Sequence, residues 1–452
     1  MHRTGVFTCG NPLLNAIAKA TTRSYESNFV GYPTDCPTRE KNGWTADAWV
    51  ASVTGLFSYN NAPGYAKWLD DFTRQQSVNG NLALIVPSPG WQTTGFHPDW
   101  ESAYEMVTWF VYEYTGNGEL IRKHYDGIKR YFTYMLRHCP DGIAAGGGWE
   151  IGDWVSPGRR PGIRFVRTCL VYRDAVLLAR MARILGKVAD QKAFLAKVAI
   201  IRRAFNAKYY KGHGVYENGG QSAQAIPLYF GLVPTARQSA AARKLVADIH
   251  AKKDHLSVGV LGDRCLFRVL TRFGHTALAY RIATQRTYPS YGLWFAHGAT
   301  TLWEQWNGDG SHNHIMFGDI LGWMYNDLAG IKPDPTAPGF RTILIAPHPV
   351  HALPWAGAVY QSHFGKIACK WQWHGCDLWV TISIPPATSG VITLPGTGNG
   401  HIFCNGHRLT SKTPGVQRLK ASNQTNAATT VLVAPGQYRF SYAPQGGSCR
   451  NN

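Results

Sequence analysis

The chain has 452 residues, 44% hydrophobic and 13% aromatic, with a formal net charge of +19 at pH 7. That length and apolar content allow two or three domains around a large core and exclude a disordered chain. No apolar run approaches the roughly 20 residues that span a bilayer, and no run of five Lys/Arg or nucleic-acid motif occurs, so neither a membrane nor a nucleic-acid partner is expected.

Residues 1–14 lack the continuous apolar stretch and cleavage site of a signal peptide. Nine irregularly spaced cysteines with no Cys-x-x-Cys pair speak against a zinc or redox framework. They read as mostly free, reduced thiols of a cytoplasmic protein. From about residue 11 to 330, helical periodicity alternates with Gly-rich and Pro-rich loops. In 102–116, Tyr104, Val107, Val111 and Tyr114 recur at three and four, and Gly116 can cap the C-terminus. In 165–186, Leu170, Leu177, Met181, Ile184 and Leu185 form a stripe that Gly186 ends. Stretches 191–209 and 315–330 repeat the pattern. About a dozen helices with one apolar face must pack on one another. The periodicity alone does not choose between a solenoid, a bundle and a ring. Such stripes read as core, and no cofactor is expected.

Beyond Lys332-Pro333-Asp334-Pro335 the texture changes, and the two prolines predict a linker. In 376–384, Leu378, Val380, Ile382 and Ile384 face one way, Thr381 and Ser383 the other. Stretches 342–346, 357–363, 429–433 and 437–442 read likewise. Short strands between Gly/Pro turns predict an antiparallel sandwich, and the tail after residue 443 is expected to fray. From Pro338 onward Asp377 is the sole acidic residue against nine Lys/Arg. The basic excess fits a solvated face, or a weak attraction for an anionic pectic polysaccharide.

Two segments carry chemistry. Stretch 34–47 (TDCPTREKNGWTAD) packs Asp35, Arg39, Glu40, Trp44 and Asp47 together. A sugar pocket needs this mixture: a flat apolar wall, acceptors for hydroxyls, and one carboxyl able to donate a proton. A surface loop of ion pairs anchored by a tryptophan fits it too. In the aromatic-rich 288–330, Glu304 stands between Trp303 and Trp306. An apolar setting disfavours a charged carboxylate, so this one must be hydrogen-bonded, perturbed or in a cleft. A helix-start Glu beside two core tryptophans is the alternative. With Glu40 it makes a pair of carboxylates remote in sequence, the usual arrangement for glycoside hydrolysis. His312-Asn313-His314 with Asp309 resembles a ligand cluster but lacks a third strong ligand at useful spacing, and no metal is expected.

Asp-Cys-Pro-Thr-Arg-Glu at 35–40 and Gly-Ala-Thr-Thr-Leu-Trp-Glu at 298–304 are the most specific motifs. Ser311-His312-Asn313-His314 and Gly152-Asp153-Trp154 support them. On these, from about residue 8 to 442, the chain resembles the bacterial α-L-rhamnosidases of glycoside hydrolase family 78. The resemblance implies an (α/α)6 barrel at 1–333, followed by a C-terminal antiparallel β-sandwich at 338–443 and a tail at 444–452. It places the site at one mouth, in the loops before the inner helices. It implies that Glu40 is the general acid and Glu304 the general base of an inverting reaction. Asp35, Arg39, Asp47 and His314 match positions that hold rhamnose, Trp44 matches a pocket wall, and Trp100, Asp153 and Trp154 fall among further substrate contacts. The implied partner is a rhamnose-containing glycoside or oligosaccharide, with no cofactor, no metal and no implied oligomeric state. The Arg-to-Trp gap is the family's shorter form, and Glu101 stands where an Asp is common one residue later. Family members usually carry β-sandwich modules upstream, and this chain starts at the seam. It is expected to be a minimal form or the product of a split or truncated gene. A rhamnose-binding relic that needs those modules is the rival to an enzyme.

Overall fold

Helices of two kinds build the first three quarters of the chain, and their sequences say where each goes. Thr45–Ser58 is apolar or small on every side and buried throughout. A helix without a polar face belongs inside. Glu119–Arg137 instead buries one stripe, including Ile121, Ile128, Phe132 and Met135, and turns its charges outward. The structure, a computed structural model, describes residues 1–88, 90, 94–398, 400–419 and 428–444. Among these, six helical segments pack each on the next and close an inner ring. They are Thr45–Ser58, Ala103–Thr115, Ile163–Ile184, Gln221–Phe230, Val260–Arg272, and Asp319–Trp323 with its π-helical continuation Met324–Leu328. Pro12–Ser27, Ala62–Gln75, Glu119–Arg137, Val188–Tyr209, Thr235–Ala251 and Thr276–Ala283 lie outside the ring. Of the three arrangements that periodicity allowed, the chain adopts the ring, a helical barrel. No helix among the described residues is long and apolar enough to cross a membrane.

The caps follow local chemistry. The Asn11 side chain accepts the Leu13 and Leu14 N–H groups, and Pro12 takes the first helical position. Gly116, at φ +71°, ends Ala103–Thr115 in the left-handed region. The last inner helix starts later than its periodicity predicts. The Gly318 N–H bonds the Ile315 carbonyl at 2.7 Å, so 315–318 is a turn and the helix begins at Asp319.

Two sheets form the second module. One runs Gly5–Cys9, Trp355–Ser362, Gly365–His374, Asp377–Ile384, Gly436–Tyr442, Phe403–Cys404, His407–Arg408. The other runs Val416–Arg418, Thr429–Val433, Ser389–Leu394, Thr342–Ile345, Ile331–Pro333. Three expectations need correction. The predicted linker is in part a strand: Ile331–Pro333 pairs with Thr342–Ile345, and Pro333 can end that strand because it sits on the sheet edge. One pair is parallel, Thr342–Ile345 with Ser389–Leu394. The chain visits the other sheet between them, which supplies the long crossover a parallel pair requires. The edge strand Gly5–Cys9 comes from the segment assigned to the barrel and pairs with Trp355–Ser362. The expected tail lies outside the described residues beyond 444. Among the described residues, seven cysteines are buried and free, while Cys376 is disulfide-bonded.

Barrel and sandwich meet at the C-terminal ends of the inner helices. Tyr325 stacks on Phe57 with centroids 3.9 Å apart, and Phe57 meets Tyr360 at 4.7 Å. The Trp371 indole donates to the Leu328 carbonyl at 2.8 Å. This apolar seal leaves the opposite mouth, at the helix N-termini, to carry polar chemistry.

One feature of the barrel core is costly. Glu105 on Ala103–Thr115 is fully buried, and neither carboxyl oxygen has a hydrogen-bond partner among the described residues. Burial, with Asp174 beside it, holds its carboxyl well above the ordinary range. A carboxyl raised in the folded state contributes stability below its ordinary pKa, which is lost as pH rises toward the folded value. Glu105→Gln removes that titration. Wild-type stability is therefore expected to fall more steeply than that of the variant above about pH 5, by up to about 1.4 kcal/mol per pH unit. Denaturant melts at several pH values check this, and parallel curves would refute it.

Candidate active site

The loops before the inner helices converge on one cleft of about 480 Å³. Its lining includes Asp35, Glu40, Trp44, Asp47, Trp100, Trp149, Glu150, Trp154, Glu304 and His314. Asn28, just past the first helix, sews two of these loops together. Its carbonyl accepts the Thr34 N–H at 2.7 Å and its amide donates to Asn313 Oδ1 at 3.2 Å. Stretch 34–47 closes on itself: the Asp35 N–H bonds the Asn42 carbonyl, and Asp35 Oδ1 accepts the Asn42 N–H at 2.8 Å. Trp44 then starts Thr45–Ser58, and Asp47 falls in its first turn, where the positive end of the helix dipole favours a carboxylate.

Glu304 reaches the cleft from a loop that its neighbouring indoles anchor. Trp306 stacks on Trp294 at 4.9 Å and donates to the Val258 carbonyl at 2.9 Å. The Glu304 N–H bonds the Ser311 carbonyl, and the Ser311 N–H returns to Glu304 Oε2, both at 2.8 Å. Gly310 lies so close that an added Cβ would come within 2.4 Å of that oxygen. Glu304 is thus a loop carboxylate fixed against a tryptophan cluster and not a helix-start residue.

Arg39 joins the two acids. Its Nη2 donates to Glu304 Oε2 at 2.7 Å and stands 3.3 Å from Glu40 Oε1. The Trp44 indole N–H donates to Glu40 Oε2 at 2.6 Å. Glu40 and Glu304, remote in sequence, therefore face one cleft across a single guanidinium.

The floor is a charged cluster. His314 Nε2 stands 3.0 Å from Asp47 Oδ1. Burial works against a charged His314, but Asp47, Cys36 and Asp35 outweigh it and raise its pKa to about 10. Burial, followed by the Asp47 charge, pushes Asp35 up to about 8. Burial also opposes a Cys36 thiolate. Bonds to His314 and Asp35 and to backbone N–H groups outweigh it and bring the thiol down to about 5. At neutral pH the floor thus offers proton donors, a protonated Asp35 and an imidazolium, in a site where a sugar's oxygens need them. Trp100 adds a buried indole N–H with no partner among the described residues. A substrate hydroxyl can satisfy such a group.

The rim holds what motif reading missed. Trp149, 55% exposed, stacks on Trp44 with centroids 6.3 Å apart, and Glu150, Ile151 and Met316 line the cleft. The available signal was the Gly-rich run 146–148 ahead of Trp-Glu. Buried Arg167 pins this loop through the Gly147 and Trp149 carbonyls, each at 2.9 Å, and through Asp99 at 3.0 Å and His97 Nδ1 at 2.9 Å. Burial, with Arg167 beside it, holds the His97 pKa below its usual value, which suits an acceptor imidazole.

Trp154 lines the cleft, whereas Asp153 does not. Its oxygens accept the Gly259 and Gly262 N–H groups at 2.9 and 2.8 Å and the Ser222 hydroxyl. Asp153 therefore caps Val260–Arg272 from outside and satisfies free N–H groups that every helix start leaves. A Cβ at Gly259 would lie 2.3 Å from the Trp154 carbonyl, so glycine is needed for this close approach. Glu101 is also held away from the cleft, by the Tyr131 hydroxyl at 2.9 Å and the His97 N–H at 3.2 Å.

Residues 2–328 match the family model for the bacterial α-L-rhamnosidase six-hairpin glycosidase domain, and residues 330–404 that for the bacterial α-L-rhamnosidase C-terminal domain. An α-L-rhamnosidase of Streptomyces avermitilis is 33% identical over 411 residues, which cover 87% of this chain and 39% of that protein. The solved α-L-rhamnosidase of Dictyoglumus thermophilum superposes with a TM-score of 0.89 at 31% identity, over 98% of this chain and 50% of that one. The Streptomyces avermitilis enzyme complexed with L-rhamnose gives 0.89 at 30% identity, over 97% and 42%. The chain thus spans half or less of the length of these relatives. With a match that runs through the whole barrel and into the sandwich, the chain belongs to the bacterial α-L-rhamnosidases, as a six-hairpin glycosidase domain joined to the family's C-terminal domain.

Proposed function

We propose that this chain hydrolyses terminal α-L-rhamnosides with inversion. The observation that carries the reading is the bridging of Glu40 and Glu304 by Arg39 at the mouth of an indole-walled cleft. Glu40 donates a proton to the glycosidic oxygen, and Glu304 takes one from the water that attacks the opposite face of the sugar. The nearest oxygens of the pair are no further apart than the sum of their two contacts with Arg39. That is short of the roughly 6.5–9.5 Å an inverting pair keeps. Arg39 is 52% exposed and can swing. In the reaction it leaves the pair for a sugar hydroxyl, and the carboxylates open around the water. Trp44, Trp100 and Trp154 offer flat faces to the ring, and Asp35, Asp47 and His314 meet its hydroxyls.

Purified protein is expected to release nitrophenol from the α-L-rhamnoside and from no other sugar of an aryl-glycoside panel, with β-L-rhamnose as first product by NMR. An α product would refute inversion, and no release from folded protein would refute the hydrolase. The charge of +19 favours anionic, pectic rhamnosides over neutral ones. KM for a galacturonate-bearing rhamnoside should then rise with salt while that for a neutral one stays flat, and equal salt responses would remove the pectic preference.

A further inference from the structure

At the floor of the cleft, Asp35, Cys36 and His314 bring a carboxylate oxygen, a thiol sulfur and an imidazole nitrogen within 4.8 Å of one another, all buried. We propose that these three side chains form a binding site for a zinc-class divalent cation, whose occupation closes the cleft to sugar. Sulfur, nitrogen and oxygen together are the donor set of zinc. A tetrahedral centre with ordinary zinc bonds places its ligand atoms about 3.3–3.8 Å apart, so the trio needs only modest side-chain rotation.

The free valences point the same way. Apart from the Cys36 sulfur itself, Asp35 Oδ2 and His314 Nδ1 have no hydrogen-bond partner among the described residues, in side chains of residues 1% and 5% exposed. Their other polar atoms are already engaged: Asp35 Oδ1 by the Asn42 N–H and His314 Nε2 by Asp47. A histidine that ligates through one nitrogen while a carboxylate holds the other is the arrangement that orients metal-bound imidazoles. The Cys36 sulfur also lies 3.4 Å from the Glu40 N–H, which ties the trio to the loop of the acid. Three protein ligands leave one position open, and Asp35 and His314 both line the cleft. Binding takes the thiolate and the neutral imidazole, and any displaced protons pass to solvent. Because the same two side chains are assigned to sugar hydroxyls, metal and substrate exclude each other. This inhibitory half rests on the function proposed above.

Cobalt(II) added to the full chain is expected to give a thiolate-to-cobalt absorption in the near ultraviolet at one equivalent. Zinc should bleach it and Cys36→Ser abolish it. X-ray absorption at the zinc edge of wild-type protein should show one sulfur at about 2.3 Å and nitrogen or oxygen ligands at about 2.0–2.2 Å. No near-ultraviolet band, a zinc shell without sulfur, or a band that survives in folded Cys36→Ser would overturn the site. These spectra do not depend on turnover, so they stand or fall apart from the proposed function. One equivalent of zinc should also lower release from the aryl rhamnoside at least tenfold, reversed by a chelator. Bound zinc with unchanged turnover would overturn the inhibitory half.

Discussion

Glu304→Gln is expected to lower turnover of an α-L-rhamnoside by about 10²–10⁴-fold, the usual worth of a positioned acid or base, with the fold intact. Glutamine has nearly the same shape, and its carbonyl can still accept the Ser311 N–H that Glu304 Oε2 accepts at 2.8 Å. It cannot take a proton from water, and the Arg39 guanidinium loses the charge it holds at 2.7 Å. Glu40→Gln is expected to fail differently. A nitrophenolate departs without protonation, whereas an alkoxide does not, so the Glu40 variant should retain far more activity on nitrophenyl than on alkyl rhamnosides. The Glu304 variant should lose both about equally, because attack by water is common to the two. Kinetics of both variants on both substrates decide the assignment. Equal leaving-group responses would show the roles to be wrong, and wild-type turnover in either variant would remove that residue from the mechanism.

Arg167→Met is expected to destabilise the protein by about 3–5 kcal/mol, the cost of removing one partner from a buried ion pair. Arg167 is fully buried and holds Asp99 at 3.0 Å. Methionine fills much of the volume but strands the carboxylate and the Gly147 and Trp149 carbonyls. The loss should therefore appear both in the denaturant midpoint and in KM, since the freed loop carries Trp149 to the rim. Asp99→Asn placed on top should recover part of the stability but not the KM, because the loop carbonyls remain unpaired. An unchanged midpoint in Arg167→Met would show that the pair contributes nothing.

The site was legible in the sequence where chemistry is dense over a short span. Stretch 34–47 carries its acids, guanidinium and indole within one loop, and Glu304 announces itself between two tryptophans. Each loop closes on itself through local hydrogen bonds, so reading it locally was enough. Legibility failed where a residue's role depends on what the fold brings beside it. The Gly-Asp-Trp at 152–154 looks uniformly like a pocket wall. Yet the acid turns inward to a helix start more than a hundred residues downstream, and the indole turns out to the cleft. Trp149 and Glu150 follow a glycine run without periodicity, and where they point depends on contacts remote in sequence, such as the buried Arg167 on the Trp149 carbonyl and Trp44 against the Trp149 ring. The donor set of Asp35, Cys36 and His314 joins two motifs from opposite ends of the barrel's sequence. A search for ligands around His312 and His314 alone finds no third strong donor. The strand Gly5–Cys9 alternates as a strand should, but five residues do not disclose a partner some 350 positions away.

That pairing sets the order in which the molecule can be completed. Residues 5–9 leave the ribosome about 350 residues before their partners at 356–360. At roughly 5–20 residues per second the first strand waits about 20–70 s for its neighbour. Until then the first strand presents unpaired backbone edges, the kind of surface that recruits foreign strands. The barrel can close its ring of helices during synthesis, but the first strand of the sandwich cannot be paired until residues 356–360 have been made. Conditions that slow elongation should therefore expose the nascent chain to aggregation through residues 5–9, long after they have emerged.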